Sequence, residues 1–372
     1  PFPKSWCTSF DRFDRRHLHS PTLSAAQQPR ALACDFDTVA DPAVDPAPPA
    51  DRVIQAGGPC PSRSSSTYNL DDAFGWADYC VRGLSGCELE DVLEAWGGTY
   101  STACSGIDSP CSAIHDLQCA LEREAPTIDV SLPQCISCVE WDGKCQDELL
   151  LLHTHHGTSC CAFSDLCEFY SDDVLEYLPE LQQHPEKALD ALLPVVKAGR
   201  AMKTSGNCLV HGGRCTLVPA DRHIAGTSCT AFSPQGVQAR EFDVTILAFL
   251  AWAWMRRLMQ ETQIIYENVR GLAFLLNLVL SDLYHIDVSH CCPQLFGWPI
   301  SRPRDYFVLR HKAKSFESAH TLDEWTRRWH RTCCFSWLDF FWQTAEHELM
   351  HELQWAQRRK TCPSRGDEIK FD

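Results

Sequence analysis

Apolar and polar positions along this chain follow two periods. From Thr99 onward, short β-branched or apolar runs that end in polar loops recur: GTYSTACSG, PQCISCVEW, GTSCCAFSD, DRHIAGTSC, TQIIYENV and RDYFVLRHK. Each reads as a strand. Between them lie segments of helical period, among them DVLEAW, DELLLLHTH, ALDALLPVVKAGRAM and DVTILAFLAWAWMRRLMQ. This alternation predicts an α/β fold with a mainly parallel sheet and helices on both faces. Ligands of such sheets sit beyond the carboxyl ends of the strands. The apolar runs Val244–Met255 and Leu272–Leu280 fall short of the ~20 residues a membrane span needs, so they are expected as buried core helices, with no membrane partner. Near the end, Thr321 and Glu324 make a capping box, and Leu322, Trp325 and Trp329 share one helical face.

The chain has 372 residues, enough for a full-sized core. Residues 1–66 hold 10 of the 22 prolines with little apolar periodicity, and are expected to be disordered or linker. Residues 67–314 are expected to form the main domain, with a helical insertion at about 171–220. Residues 315–372 are expected to be a helical segment. The chain starts with Pro and shows no charged-then-apolar leader, so no secretory signal is evident and a fragment is expected.

The 22 cysteines come as adjacent pairs (Cys160 and Cys161, Cys291 and Cys292, Cys333 and Cys334) and at irregular gaps. Neither a disulfide nor a zinc framework is expected from that spacing. Cys135 and Cys138, on an apparent strand, are expected as small buried hydrophobes, and a reducing intracellular compartment follows. His153, His155 and His156 are expected in a solvated loop. The formal charge of −16 argues against strong non-specific binding to DNA. A local basic face around Arg302, Arg304, Arg310, Lys312 and Lys314 remains compatible with it.

Candidate chemistry concentrates in two segments. AGTSCTAFS (225–233) places the thiol of Cys229 after one strand, and YENVRGL (266–272) places Glu267 at the end of the next. In type and order these resemble the nucleophile loop and Glu-Asn-Val tripeptide of the cytosine-C5 DNA methyltransferases. FGWPISRPRDYFVL is similar to that family's arginine segment, with Arg302 and Arg304 in the arginine positions. STACSGIDSPCSAI stands where its first glycine loop belongs, CVEWDGKCQDEL where its ribose-binding segment does, and FSDL where its adenine contact does. The resemblance covers roughly residues 99–310.

The resemblance implies a Rossmann-like methyltransferase fold that uses S-adenosylmethionine. It implies that Cys229 attacks C6 of cytosine, which makes C5 nucleophilic toward the methyl group. Glu267 would relieve the charge on the ring at N3, Asn268 would brace the loop, and Arg304, with Arg302 beside it, would orient Glu267 or stabilise charge. Gly106 and Ile107 would approach the methyl donor, Glu140 would hold its ribose, Trp141 would stack on its adenine, and Asp165 would accept from the adenine amino group. Asp108 would bring a negative charge near the donor. DNA is the implied substrate, with a nuclear location; tRNA and a non-catalytic donor-binding role are the alternatives within the resemblance.

The chain departs from the family in several places. Thr-Ser-Cys-Thr stands for Pro-Pro-Cys-Gln, Ile300 for the usual Gln, and the closing Gly-Asn segment is absent. Outside the resemblance, HELMH (347–351) has the spacing of two zinc ligands and a glutamate base, which would suit a zinc metallopeptidase.

Overall fold

Six of seven strands in the central sheet of the computed structural model run parallel, and the exception carries part of the candidate site. The structure describes residues 66–336 apart from 158–159, 200–201, 234–235, 237, 316–317 and 319. In chain order the sheet strands are β1 (Thr99–Ala103), β2 (Gln134–Val139), β3 (Cys161–Phe163), β4 (Arg222–Ala225), β5 (Gln263–Asn268), β6 (Tyr284–Cys291) and β7 (Arg304–His311). Their spatial order is β3-β2-β1-β4-β5-β7-β6. This is a doubly wound sheet whose order reverses between β1 and β4, where ligand crevices form. The expected α/β architecture is present.

Helices of the amphipathic or wholly apolar kind make the crossovers. α1 (Trp76–Arg82) and α2 (Gly86–Ala95) precede the sheet, and α3 (Ser109–Glu124) and α4 (Gly143–His155) follow β1 and β2. α5 (Asp172–Gln183) and α6 (Ala188–Lys197) follow β3, α7 (Thr245–Met259) follows β4, and α8 (Ala273–Leu280) follows β5. Neighbouring residues of one strand join different cores: Val139 and Phe163 pack with α5 to α8, whereas Cys138 and Ala162 pack with Leu149 of α4. Period-2 alternation thus feeds two faces, both buried. α7 is apolar from Ile246 to Met255 and has no exposed residue, with Leu250, Trp252 and Trp254 fully enclosed. Trp252 donates its indole N–H to His223 Nε2 at 2.9 Å, which leaves the ring proton on Nδ1, 2.7 Å from Ser101 Oγ. Burial holds His223 well below the usual imidazole range, so it stays neutral.

The structure corrects several expectations. β6 was not expected, because YHIDVSHC alternates polar residues on an edge strand and shows no apolar run. β7 lies antiparallel between β5 and β6. The insertion is helical only as far as Lys197; Gly199, at φ +61, ends it, and a small hairpin of Ser205–Asn207 and Arg214–Thr216 follows. His153 and His155 belong to α4, not to a loop; His153 is 4% exposed, His155 is exposed, and His156, which caps the helix, is half-buried and stacked on His115. Both hydrogen bonds of the Thr321–Glu324 capping box are present, on a short helix, α9 (Leu322–Arg328). Thr332–Cys333 then pairs in parallel with Ser66–Thr67, which fastens the two ends of the described chain together. Residues 1–65, the rest of the C-terminal segment and HELMH lie outside the described residues.

Arg256 of α7 and Glu261 form an ion pair whose side chains are 4% and 1% exposed. Removing one partner from such a pair strands the other charge in the core. Glu261→Ala is expected to lower the unfolding free energy by about 3–5 kcal/mol, read from urea midpoints at constant m-value. The double variant Arg256→Met/Glu261→Leu should recover most of that loss. A single-variant cost below about 1 kcal/mol would mean that the pair does not hold this corner.

Candidate active site

The first half of the site is built where β1 and β2 end. After Ala103 the chain takes left-handed conformations at Cys104 (φ 51), Gly106 (φ 55) and Asp108 (φ 58), which coil it into a tight loop. Ser105 N–H donates to Val139 O at 3.3 Å, so the loop is stitched to the end of β2. One residue on, the Glu140 carboxylate accepts from Gly106 N–H at 2.7 Å and from Asp142 N–H at 2.9 Å, one bond to each oxygen. Each oxygen keeps a lone pair, so the group can also accept from a vicinal diol. Gln146 donates to Glu140 O at 2.6 Å, and Asp142 caps α4 through Lys144 N–H and Cys145 N–H. Trp141, between these fixed residues, is 67% exposed and offers a planar apolar ring to a ligand.

Asp165 follows β3 and accepts from Cys167 N–H at 2.9 Å, which starts a single 3₁₀ turn (Leu166–Phe169). Cys104 links the two acids: burial first, and then the charges of Glu140 and Asp165, push its thiol up to about 12. Glu140 thus meets the loop of Gly106 and the half-buried Ile107 directly, and Asp165 lies close enough for its charge to act on the Cys104 thiol of that loop. Asp108 does not join them. It is fully buried and pairs with His153 Nε2 at 2.8 Å, and burial pushes its carboxyl up. Its charge is spent inside the protein, against the expectation that it would approach the donor.

The second half lies where β4 and β5 end. Glu267 Oε1 is 2.9 Å from Arg304 Nε, and both side chains are half-buried. Burial pushes the Glu267 carboxyl above its ordinary range; Arg304 and Arg302 pull it back only in part. The antiparallel direction of β7 makes this pair: Tyr306 is registered with Glu267 and Asp305 with Asn268, so the amino end of β7 meets the carboxyl end of β5. Arg302 is exposed beside them, its backbone N–H 3.3 Å from Cys292 Sγ.

Asn268, 1% exposed, donates to Thr227 O at 2.9 Å and to the Tyr266 hydroxyl at 3.1 Å, and its own Oδ1 accepts from Val269 N–H. Thr227 Oγ1 also bonds the Tyr266 hydroxyl. The β4 loop is thereby tied to the end of β5 two residues before Cys229. Cys229 itself is half-buried, and its thiol makes no hydrogen bond to Glu267 or Arg304. The structure thus pairs Glu267 with Arg304, with Arg302 close enough to act on the carboxyl, while Asn268, in a separate buried group with Thr227 and Tyr266, ties the loop of Cys229 to the end of the same strand.

Three contributors were missed in the sequence. A Cβ on Gly226 would lie 3.2 Å from Glu267 Oε2, so that glycine leaves the carboxylate its space. Thr227 and Tyr266 form the buried tie. Gly226 was visible as a glycine after a strand, but nothing in the sequence pairs Thr227 with Tyr266.

No family model and no curated protein matches the chain. Among solved structures, it is similar to the S. pombe Dnmt2 methyltransferase, with 15% identity and a TM-score of 0.34 over 61% of this chain and 52% of that one. The Entamoeba histolytica methyltransferase EhMeth gives 14% identity and a TM-score of 0.36 over 61% and 56%. A Spodoptera frugiperda DNMT2 mutant gives 14% and 0.33 over 61% and 54%. The chain spans little more than half the length of these structures, and scores of this size do not assign a family.

Proposed function

We propose that the protein is an S-adenosylmethionine-dependent methyltransferase that modifies C5 of a cytosine in DNA through an adduct with Cys229. The observation that carries this reading is the half-buried Glu267–Arg304 pair on the rim to which Asn268 ties the Cys229 loop. A raised carboxyl is suited to hold a proton against N3 of a ring that gains electrons. As the thiolate adds to C6, the C5–C6 double bond opens, electron density moves toward N3, and the Glu267 proton meets it there. Arg304 keeps the carboxyl aimed and offers positive charge at the same edge.

Glu140 and Asp165 would hold the ribose and adenine of the donor, with Trp141 against the adenine face and Gly106 and Ile107 beside the sulfonium portion. When bound, the donor supplies an electrophilic methyl group to C5. Transfer of the C5 proton to solvent water then restores the C5–C6 double bond, the C6–S bond breaks to release the Cys229 thiolate, and the N3 proton returns to Glu267. The target base has to leave its stack to reach this rim. A second reading, a donor-binding relative without catalysis, is favoured by the thiol of Cys229 lacking a bond to Glu267 or Arg304. A tRNA cytosine would meet the same groups.

Purified protein, 5-fluorocytosine DNA and methyl donor are expected to form a covalent adduct, located at Cys229 by mass spectrometry and lost in Cys229→Ala. Donor binding by calorimetry without any adduct, on DNA or on tRNA, would replace this reading with the non-catalytic one. Glu140→Ala should weaken donor binding about 10–100-fold, the equivalent of one or two hydrogen bonds to a charged group. Unchanged affinity would remove Glu140 from the donor site.

Glu267→Gln should slow methyl transfer about 10²–10⁴-fold. The Glu267 carboxyl is raised and its protonated form is the one used, so its contribution, read as the ratio of the wild-type rate to the Glu267→Gln rate, is expected to be largest at low pH and to fall as pH rises through the raised value. Thiolate formation at Cys229 acts on both proteins alike and cancels in that ratio. A ratio that stays level or rises across that range would assign the carboxylate another role.

A further inference from the structure

We propose that Cys161, Cys208, His211 and Cys215 bind one zinc ion, which fastens the inserted hairpin to the edge strand of the sheet. The ligand atoms of these four residues lie within 4.8 Å of one another. His211 Nδ1 is 3.3 Å from Cys208 Sγ, 3.3 Å from Cys215 Sγ and 3.7 Å from Cys161 Sγ. Zinc–sulfur bonds of about 2.3 Å and zinc–nitrogen bonds of about 2.0–2.1 Å at tetrahedral angles place sulfur and nitrogen about 3.5–3.6 Å apart. The three nitrogen–sulfur edges, 3.3, 3.3 and 3.7 Å, bracket that value, and every sulfur–sulfur separation is within 4.8 Å. Three soft thiolates and an imidazole select zinc, and four protein ligands leave no open position, the mark of a structural site.

The local backbone is built to deliver these groups. Cys160 and Cys161 are adjacent, so the pleat sends them to opposite faces: Cys160 joins the core with Cys138, and Cys161 turns toward the hairpin. Cys208 follows the first hairpin strand, and Cys215 sits in the second, opposite Gly206. The loop between them is closed by Cys208 N–H to Gly213 O at 2.8 Å and Gly212 N–H to Cys208 O at 3.0 Å. Gly212, at φ +64, takes a conformation that disfavours other residues. Leu209 N–H then donates to Ala162 O at 2.8 Å, and Cys208 bridges Phe163, so the loop docks on β3.

Apolar burial holds the hairpin only in part: Cys208 and Leu217 join the main core, and Gly206 lies against Phe163 and Phe169. Its strands have three residues each, too short to be stable alone. Leu209, Val210 and Val218 around it are 40%, 45% and 51% exposed. A metal tie supplies what a core this small lacks. The other clusters are weaker candidates: Cys111 with His115 and His156, and Cys135 with His153 and Cys160, offer three ligands each, and His153 is already bonded to Asp108. The hairpin also supplies Asn207 and Arg214 to the groove that contains Asp165, so the metal would shape one wall beside that acid.

The test is the metal content of the full chain, purified without chelator and desalted. About one zinc per chain is expected. The double variant Cys208→Ser/Cys215→Ser should lose it, and Cys138→Ser should keep it. Co²⁺ in place of zinc should give the visible absorption of a tetrahedral thiolate site. A variant-free measurement covers the case in which the double variant fails to fold. Maleimide labelling read by mass spectrometry should spare Cys161, Cys208 and Cys215 until a chelator is added, while Cys87 and Cys334, both exposed, react throughout. Folded protein without zinc, or equal labelling of the three cysteines with and without chelator, would overturn the proposal. So would zinc that survives the double variant and disappears in His347→Ala. Donor binding is a separate readout, so failure here leaves the reading of the active site standing.

Discussion

Parallel strands cannot be joined by tight turns, and the rest of this structure depends on that constraint. Each crossover has to travel back over a face of the sheet, so both faces become cores and six strand ends are left pointing to one edge. Along that edge the loop after β1 presents Gly106 to Glu140, which follows β2, and Asp165 follows β3. The loops after β4 and β5 place Cys229 and Glu267 next along. The long apolar run of α7 is the visible cost of the arrangement: with the sheet on one side and α6 and α8 packed near it, nearly every side chain before Arg256 needs an apolar partner.

On this frame the two halves of the site are held by different physics. Glu140 is fixed by backbone N–H groups, which come from the loop itself and cannot be altered by changing a side chain. Glu267 is fixed by a guanidinium in a half-buried setting, where desolvation and attraction oppose each other. The first arrangement makes a constant acceptor and the second a group whose proton is easily moved. That contrast suits ligand holding on one side and proton handling on the other.

The candidate site was legible in the sequence wherever residue type and order carry the signal. Cys229, Glu267 and Arg304 stand out as thiol, acid and cation at or just beyond strand ends, and six of the seven sheet strands show apolar or β-branched runs long enough to read. β6 was not legible, since an edge strand with Tyr284, Asp287 and His290 carries no continuous apolar face. The direction of β7 was equally hidden, because a strand's period is the same in either sense. The burial of Asp108 against His153 joins positions 45 residues apart. The cysteine cluster joins β3 to a hairpin beyond two intervening helices. Local spacing rules work within a loop or a helical turn, and neither of these pairings is local.

The antiparallel insertion of β7 has a consequence for how the molecule comes into being. While the chain is being made, β5 emerges with β4 on one side and nothing on the other. The strand that will cover it is the last of the sheet to leave the ribosome, after β6 has already been produced. Until then the nascent protein carries an unpaired edge, and Glu267 sits on that edge without its countercharge. Translation that stalls short of Arg304 would leave a sticky, incomplete sheet, a natural client for chaperones.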